Sequence, residues 1–342
     1  MADTSNHITS FKVENFKRFE TFEMANLGQF NLIVGDNNVG KTSVLEALLF
    51  SEPTWLFFNN LFVALTHRSL KEKFLYKDLD LYSNKELSLD KLKYAIDYKV
   101  SFVNGRQSAF GVEFDKTNQR VSIKGIPNDS TAYHFNDPAS LNPSINTPFI
   151  PFYKGHGKDL TTYFSAEILK SRVSRKRMIE SLKIIIPDID EIQLSSPDPN
   201  EFGYLVVSQT NLNATIPLAL FGDGVLKLFR ILIEILINRG KRLMIDEIDT
   251  GIHFSRFKDF WKTILKAAKE NDVQLFMTTH NEECIRYFVE VLSDSEMKSY
   301  QSEARSISLV ELPDKSVKAY TYPFDHLEAN ITMGNDVRGG AR

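Results

Sequence analysis

Cysteine is nearly absent from this chain, and so are long apolar runs without charge. The single cysteine among 342 residues, Cys284, excludes an internal disulfide and is usual for cytosolic proteins. The N-terminus, MADTSNHITS, lacks the apolar core of a signal peptide. The most apolar stretch, residues 226–237, carries Lys227, Arg230 and Glu234, which predicts a packed helix rather than a membrane span. We therefore expect a cytoplasmic protein that makes no membrane contact of its own.

A strong excess of either charge is also missing. Lys and Arg number 41 against 44 Asp and Glu, a net charge of −3, so the composition as a whole does not indicate nucleic-acid binding. No repeat with a period of 20–50 residues and no low-complexity tract is present. The length fits two ordinary domains or one large α/β domain with an insertion.

Although the overall charge is balanced, one cluster of basic residues lies within a predicted helix at residues 159–186. A solvated helix face is the commoner explanation for such a cluster. Contact with DNA, RNA or an acidic partner is the alternative. The members of the cluster are Lys170, Arg172, Arg175, Lys176 and Arg177.

Residues 30–49, FNLIVGDNNVGKTSVLEALL, contain the clearest motif. The apolar run at 30–34 predicts a buried strand, and apolar residues at helical spacing after residue 41 predict a helix. Between them lies G-x-x-x-x-G-K-[ST], a phosphate-binding loop in its expected context. Such a loop wraps its N–H groups around a polyphosphate at a helix N-terminus. The nucleotide-binding residues are expected to be Gly35, Asn38, Gly40, Lys41, Thr42 and Ser43.

Two of these side chains have distinct predicted roles. Lys41 is expected to reach the β- and γ-phosphates of ATP, and the hydroxyl of Thr42 to ligate Mg²⁺. A chance Gly-Lys-Thr turn is the alternative, which the flanking strand and helix disfavour. Just before the loop, Lys17 and Arg18 are either contacts to the nucleotide or solvated residues at a sheet edge.

A second group of candidate residues lies at the ends of two later strands. Residues 241–253, KRLMIDEIDTGIH, predict a short buried strand that ends in Asp246 and Glu247, where open α/β sheets bind ligands. Asp246 is placed to hold Mg²⁺, and Glu247 to orient and deprotonate the attacking water. His280 ends a predicted strand at 273–280 and can reach the γ-phosphate or that water. Capping carboxylates and a structural histidine are the alternatives when each feature is taken alone.

The third feature is a glycine pair, Gly222 and Gly224, that flanks Asp223 at the start of a predicted helix. Backbone N–H groups at such a start form a second anion-binding site. One nucleotide does not need two such sites from one chain. Two chains packed head to tail would use both, so that each ATP lies between the loop of one copy and the glycines of the other.

Together, GDNNVGKTSVLEAL, LFGDGVLKL, RLMIDEIDTGIH and FMTTH resemble the ATP-binding-cassette (ABC) class of ATPases. The segment NFKRFE resembles the corresponding segment in the branch of this class that contains RecF, the SMC proteins and OLD-like ATPases. The motif DEI-x-x-G-[IL]-H most resembles that of OLD-like, abortive-infection-type ATPases. The resemblance implies that Gly222–Gly224 form the trans-acting signature and that His253 stands near the dimer-crossing loop. Gly222 replaces the usual signature serine. No glutamine of the usual linking loop is evident near residues 149–155, FIPFYKG.

The predicted fold is an α/β P-loop NTPase of the ABC type, with a mixed or parallel core sheet flanked by helices. One ATPase domain spans 1–325, with its core in 1–52 and 202–325. Residues 53–148 form a helical and antiparallel β insertion, in which 91–126 hold about three strands and 127–148 a loop. Residues 149–201 form a helical lobe, and 326–342 a polar tail.

Three functional hypotheses follow from the resemblance. The first is a Mg²⁺-dependent ATPase that acts in a bacterial anti-phage complex with a separately encoded effector, such as a nuclease or toxin. The second is a RecF-like ATPase that dimerises on DNA, and the third a nucleotide-gated scaffold with little turnover. Sustained heptads that would form coiled-coil arms are missing. The 62 residues after His280 are too few for an OLD-type nuclease domain, so no intrinsic nuclease is expected.

Overall fold

The computed structural model describes residues 6–49, 60, 93–115, 117–118, 120–124, 132–134, 147–152, 158–196, 203–335 and 337. The strands in chain order are β1 (Ile8–Phe16), β2 (Phe19–Met24), β3 (Phe30–Gly35), β4 (Lys93–Phe102), β5 (Gln107–Asp115), β6 (Arg120–Lys124), β7 (Ala132–His134), β8 (Phe149–Ile150), β9 (Ile189–Ser195), β10 (Tyr204–Gln209), β11 (Ile216–Pro217), β12 (Arg242–Ile245), β13 (Gln274–Thr278), β14 (Ala304–Glu311) and β15 (Val317–Pro323). The α-helices are α1 (Lys41–Leu49), α2 (Lys158–Tyr163), α3 (Arg172–Leu182), α4 (Asp223–Ile237), α5 (Phe257–Glu270), α6 (Glu282–Ser293) and α7 (Phe324–Thr332).

The central sheet has the order β15-β14-β3-β13-β12-β8. Its strands are parallel except for β15, which pairs antiparallel with β14 at one edge. Strand β3 is buried on both faces because its side chains alternate between two cores. Leu32 and Val34 face the larger core with α4, α5 and α6, whereas Ile33 faces the core beneath the antiparallel sheet. The predicted mixed or parallel core sheet is confirmed.

A second sheet, in the order β2-β1-β4-β5-β6-β7, is antiparallel throughout. Strands β4, β5 and β6 are those predicted within residues 91–126. Strands β1 and β2, which lie in the segment 1–52 predicted to be part of the nucleotide-binding core, also belong to this sheet. Strand β7 lies inside residues 127–148, which were predicted as a loop; three residues are too few for apolar alternation to reveal a strand. The predicted helical segment at 53–82 lies outside the described residues, apart from Asn60.

The predicted helix at 159–186 is divided rather than continuous. Helix α2 passes into a π-helical turn, Phe164–Ile168, and α3 starts anew at Ser171, whose side chain accepts a hydrogen bond from the N–H of Ser174. Serine at this position caps a helix because it satisfies an N–H that has no partner inside the helix. Strands β9, β10 and β11 form a small antiparallel sheet beside these helices.

A buried ion cluster fastens this lobe to helix α4. Arg230 is fully buried and donates to both carboxylate oxygens of Asp159 on α2, at 2.7 and 2.8 Å. The same guanidinium donates to Glu234 one turn further along α4, at 3.2 Å. Charge-assisted, two-pronged bonds of this kind fix orientation as well as distance, so α2 and α4 are held in one relative position.

Two further details concern the C-terminal half. Residues 326–342 were predicted as a polar tail, but α7 extends into this segment as far as Thr332, and Phe324 and Leu327 pack into the larger core. Cys284 is buried on α6, where burial raises the pKa of its thiol, and its carbonyl accepts the indole N–H of Trp261 at 2.9 Å. In the described part of the chain no helix is long and apolar enough to cross a membrane.

Gln274 links the two large sheets at the start of β13. Its amide donates to the carbonyls of Ile8 and Gly28 at 2.8 Å each, and its carbonyl accepts the N–H of Ile8 at 2.9 Å. The side chain is 1% exposed. Water cannot replace these bonds, so they join the antiparallel sheet to the core in addition to the apolar cluster that the two sheets share.

We expect Gln274→Met to lower the free energy of unfolding by about 3 kcal/mol, because three buried backbone groups lose their partner. Urea denaturation followed by circular dichroism measures this difference. The matched control is Gln193→Met on the exposed face of β9, which we expect to change stability by less than about 0.5 kcal/mol. Equal effects of the two substitutions would contradict the linking role of Gln274.

Candidate active site

The predicted site residues follow neighbouring strands of the central sheet. Strand β13 lies between β3 and β12, and the three run parallel. Their carboxyl ends therefore meet at one edge of the sheet. The loop after β3, the acidic pair Asp246–Glu247 after β12 and His280 after β13 are brought together at this edge.

The loop between β3 and α1 is shaped by residues that accept positive φ angles. Asn38 has φ +64° and Gly40 φ +107°. A side chain at Gly40 would stand 3.1 Å from the ring of Phe19 and 3.2 Å from Arg18. Gly40 is therefore required both by its backbone angle and by close packing, and the chain enters α1 directly after it.

The ammonium of Lys41 lies inside this loop. It donates to the carbonyls of Gly35 and Asp36 at 2.8 and 2.9 Å. Partial burial lowers the pKa of Lys41, although the carboxylates of Asp246 and Glu247 act in the opposite direction. An anion that enters the loop would meet this cation together with the N-terminal N–H groups of α1.

Asp246 is the centre of the polar network. One of its carboxylate oxygens accepts the hydroxyl of Thr42 at 2.9 Å, and the other accepts the hydroxyl of Thr278 at 2.7 Å. Hydroxyl and carboxylate oxygens are suitable ligands for Mg²⁺, which usually takes its other ligands from phosphate and water. Thr42 and Asp246 thus fit a magnesium ion by their chemistry. Among the described residues, no group of three or more His, Cys, Asp or Glu side chains could hold a metal.

Glu247 and His280 face each other across the edge of the sheet. The Nδ1 atom of His280 lies 3.9 Å from a carboxylate oxygen of Glu247, and both side chains are partly exposed. Glu247 has φ +43°, which is unusual for a residue with a side chain. Unusual backbone angles cluster at functional sites. The arrangement presents a carboxylate and an imidazole to solvent beside the phosphate-binding loop.

Lys17 and Arg18 occupy different positions. The ammonium of Lys17 pairs with Glu46, a buried residue of α1. The guanidinium of Arg18 donates to the carbonyl of Asn38 in the loop and to Glu311. Arg18 thus lies on the phosphate-binding loop, whereas Lys17 supports the helix behind it. Contact of either with a nucleotide stays a prediction.

The glycine pair at the start of α4 is accessible. Gly222 and Asp223 are exposed, and Gly222 has φ +91° with open space where a side chain would stand. Gly224 is different, because a side chain there would come within 2.5 Å of the carbonyl of Gly251. Gly251 belongs to the segment after Glu247, so the start of α4 packs directly against the acidic strand end.

Three residues of the site were missed by the sequence analysis. Thr278 bonds Asp246, Thr279 donates its hydroxyl to Asp249 at 2.7 Å, and the buried ammonium of Lys227 donates to the carbonyl of Asp246 at 3.2 Å. The threonines stand in the quoted stretch FMTTH, where a polar pair ending a buried strand was the available signal. Nothing in the sequence pairs Lys227 with Asp246.

This fold and this site define an ABC-class ATPase of the RecF- and SMC-like branch. Residues 30–286 match the family described as "AAA domain, putative AbiEii toxin, Type IV TA system". The matched region exceeds half of the chain, and the chain belongs to this family. The recognition made from the four motifs is thereby confirmed.

Individual relatives agree with this assignment. An "ATP/GTP phosphatase" of Helicobacter pylori is 24% identical over 367 residues, which cover 94% of this chain and 97% of the relative. The RecF protein of Xanthomonas oryzae is 45% identical, but only over 42 residues, or 12% of each chain. Among solved structures, an SmcHead bound to the C-winged helix domain of ScpA superposes with a TM-score of 0.57 at 12% identity, covering 94% of this chain and 98% of that one. The last comparison supports the fold.

We expect Lys41→Ala to weaken Mg²⁺–ATP binding at least about a hundredfold, because the loop loses the cation that faces the phosphates. The melting temperature is expected to stay nearly constant, since a partly exposed lysine contributes little to stability. Isothermal titration calorimetry measures the first effect and differential scanning calorimetry the second. The control is Lys298→Ala at an exposed position. Unchanged affinity in the Lys41 variant would contradict the assignment of the loop.

Proposed function

We propose that this protein binds and hydrolyses ATP with Mg²⁺, in a head-to-tail dimer that encloses the nucleotide. The observation that carries the proposal is the 2.9 Å hydrogen bond between Thr42 and Asp246. It joins the phosphate-binding loop to the acidic strand end, so that one site holds a polyphosphate, a metal and a catalytic carboxylate. The Helicobacter relative described as an ATP/GTP phosphatase supports the same reaction.

Each residue of the site has a part in this reaction. Lys41 and the N–H groups of the loop would hold the β- and γ-phosphates, and Thr42 and Asp246 would hold Mg²⁺. When bound, the metal would supply positive charge to the phosphate oxygens. Glu247 orients the attacking water and takes its proton, while His280 stands where it can donate to the γ-phosphate. Catalysis of this type works by positioning and by charge neutralisation.

The second half of the pocket is proposed to come from a second copy of the chain. The Gly222–Gly224 turn is exposed at the start of the fifteen-residue helix α4, so its N–H groups can meet the γ-phosphate bound to a partner. Leu220 and Phe254 are exposed by 74% and 49% near this surface. Exposed apolar side chains beside a functional edge suit a protein contact.

We expect Glu247→Gln to reduce ATP turnover about a hundredfold or more, because the amide cannot accept the proton of water. ATP binding is expected to persist, and an ATP-bound dimer to accumulate. Phosphate release and light scattering after size exclusion measure the two effects. Glu23→Gln, at an exposed position on β2, is the control.

Two other outcomes of this experiment are informative. A nucleotide-gated scaffold with little turnover would keep its biological activity in the Glu247 variant. A variant that binds ATP but never dimerises would contradict the shared pocket.

In the cell, the ATPase is proposed to act as the sensor or motor of an anti-phage defence complex. The family description names a putative AbiEii toxin and a type IV TA system. The motif DEI-x-x-G-[IL]-H resembles that of OLD-like ATPases. The effector, a nuclease or toxin, is proposed to be a separate protein. ATP binding would close the dimer and so change the surface offered to that effector.

Binding to DNA is the second candidate. The 42-residue similarity to RecF supports it, and so do the exposed side chains of Arg172, Lys176 and Arg177 on α3. A basic helix face of this kind attracts phosphates without reading sequence. In this version the dimer closes on a duplex rather than on an effector.

Co-expression with the neighbouring genes separates the two candidates. The defence proposal predicts that a neighbour's product co-purifies with the tagged ATPase and that Lys41→Ala abolishes protection against phage. The DNA proposal predicts ATP-dependent duplex binding in a filter assay, with affinity that falls steeply as salt rises and is lost in an Arg172→Glu/Lys176→Glu variant. An absence of both a protein partner and phage protection would contradict the defence proposal.

A further inference from the structure

Helix α4 carries two buried cationic side chains, Lys227 and Arg230, which are unusual in an apolar core. Its residues from Val225 to Ile235 are buried, and the apolar ones join the larger hydrophobic cluster. Lys227 is 2% exposed and Arg230 is fully buried. A buried charge is costly unless it is paired, so each cation requires an explanation.

Arg230 is explained by the ion cluster that fastens the helical lobe. Its bonds to Asp159 and Glu234 neutralise its charge within that cluster. In the described part of the chain, these hydrogen bonds of Arg230 go to the lobe and to its own helix rather than to the acidic strand end. Arg230 therefore has a structural role that is complete without the nucleotide.

Lys227 has a different environment. It donates one hydrogen bond, to the backbone carbonyl of Asp246, although an ammonium carries three donors. Burial lowers its pKa to about 8, while Asp246, Asp249 and Glu247 favour the charged form. An apolar residue of similar length would fill this space at least as stably. Packing alone gives no reason for a lysine.

The peptide that Lys227 contacts is the one that orients Glu247. The carbonyl of Asp246 and the N–H of Glu247 belong to the same planar peptide group. Lys227 holds the carbonyl at 3.2 Å, and the hydroxyl of Thr278 accepts the N–H at 2.8 Å. The peptide is thus held at both of its polar atoms. Directly after it, Glu247 adopts φ +43°, an angle that persists only where surrounding contacts enforce it.

We propose that Lys227 is a positioning residue for ATP hydrolysis. Together with Thr278 it clamps the peptide between Asp246 and Glu247, and so aims the carboxylate of Glu247 at the attacking water. This inference rests on the proposed ATPase function. The clamp also connects two sites, because α4 begins at the Gly222–Gly224 turn that is proposed to meet the partner's nucleotide. A small movement of α4 on dimer closure therefore reaches Glu247 through Lys227.

The test uses the full chain with Lys227→Met, which keeps the length of the side chain but removes its charge and donors. We expect kcat to fall at least about tenfold while the Kd for Mg²⁺–ATP changes less than about twofold, the pattern of a group that acts in the transition state. Lys227→Arg keeps a cationic donor and should recover part of kcat. Lys227→Leu, which also lacks charge and donors, serves in place of the Met variant if the latter fails to fold.

Two controls separate positioning from loss of stability. Asp159→Asn weakens the attachment of the same helix to the lobe without touching the clamped peptide, so it should lower the melting temperature and leave kcat within about twofold. The double variant Lys227→Met/Thr278→Val should lose little more kcat than the worse single variant, because both side chains act on one peptide.

The outcomes distinguish this inference from the proposed function. A parent protein that neither binds nor hydrolyses ATP would overturn both. A parent that hydrolyses ATP, with a folded Lys227→Met variant of equal kcat, would overturn the clamp alone. Additive losses in the double variant would show that Lys227 and Thr278 act independently and would also overturn the clamp. An equal loss of kcat in Asp159→Asn would show that Lys227 acts through the stability of α4.

Discussion

The carboxylate of Asp246 is the point on which the arrangement of this site depends. Its two oxygens accept hydroxyls from Thr42, at the start of α1, and from Thr278, at the end of β13. This one side chain, which is 3% exposed, therefore joins two other elements of the chain to the end of its own strand. Each of these hydrogen bonds is strengthened by the low dielectric constant around a buried carboxylate. The parallel register of β3, β13 and β12 is what places the three elements within reach.

Helix α4 likewise joins separate parts of the structure through buried polar contacts. One helix offers an exposed glycine turn at its start, a lysine bonded to the acidic strand end one turn later, and an arginine bonded to the helical lobe after that. The charged residues Asp223, Lys227, Arg230 and Glu234 recur at helical spacing along it, although most of the helix is apolar. The helix is thus attached at three points: at its start, where Gly224 packs against Gly251, at Lys227 and at Arg230. Displacement at one level cannot be absorbed by loose packing at the next, since cores are close-packed.

Sequence reasoning identified what is encoded locally. The loop at residues 35–43 and the acidic pair were found because strand, turn and helix follow one another directly in the chain. It missed contacts between distant residues: Thr278 and Lys227 stand 32 and 19 positions from Asp246, and no periodicity links them. Helix α7 was mistaken for a tail because only two of its residues, Phe324 and Leu327, are classed as buried. Such a weak apolar pattern forms a helix mainly through tertiary packing. Lys17 was weighed as a nucleotide contact; its ammonium pairs with Glu46 on α1, and β2 and β3 lie between the two residues in sequence.

The burial of Cys284 has a practical consequence. Its thiol is enclosed at the base of α6 and, since burial raises its pKa, it stays protonated at neutral pH. We therefore expect the folded protein to react very little with alkylating dyes. A single cysteine introduced at the surface would be labelled selectively, and a pair introduced on opposing faces would cross-link only when two copies meet. The native sequence is thus already a suitable background for spectroscopic probes of subunit association.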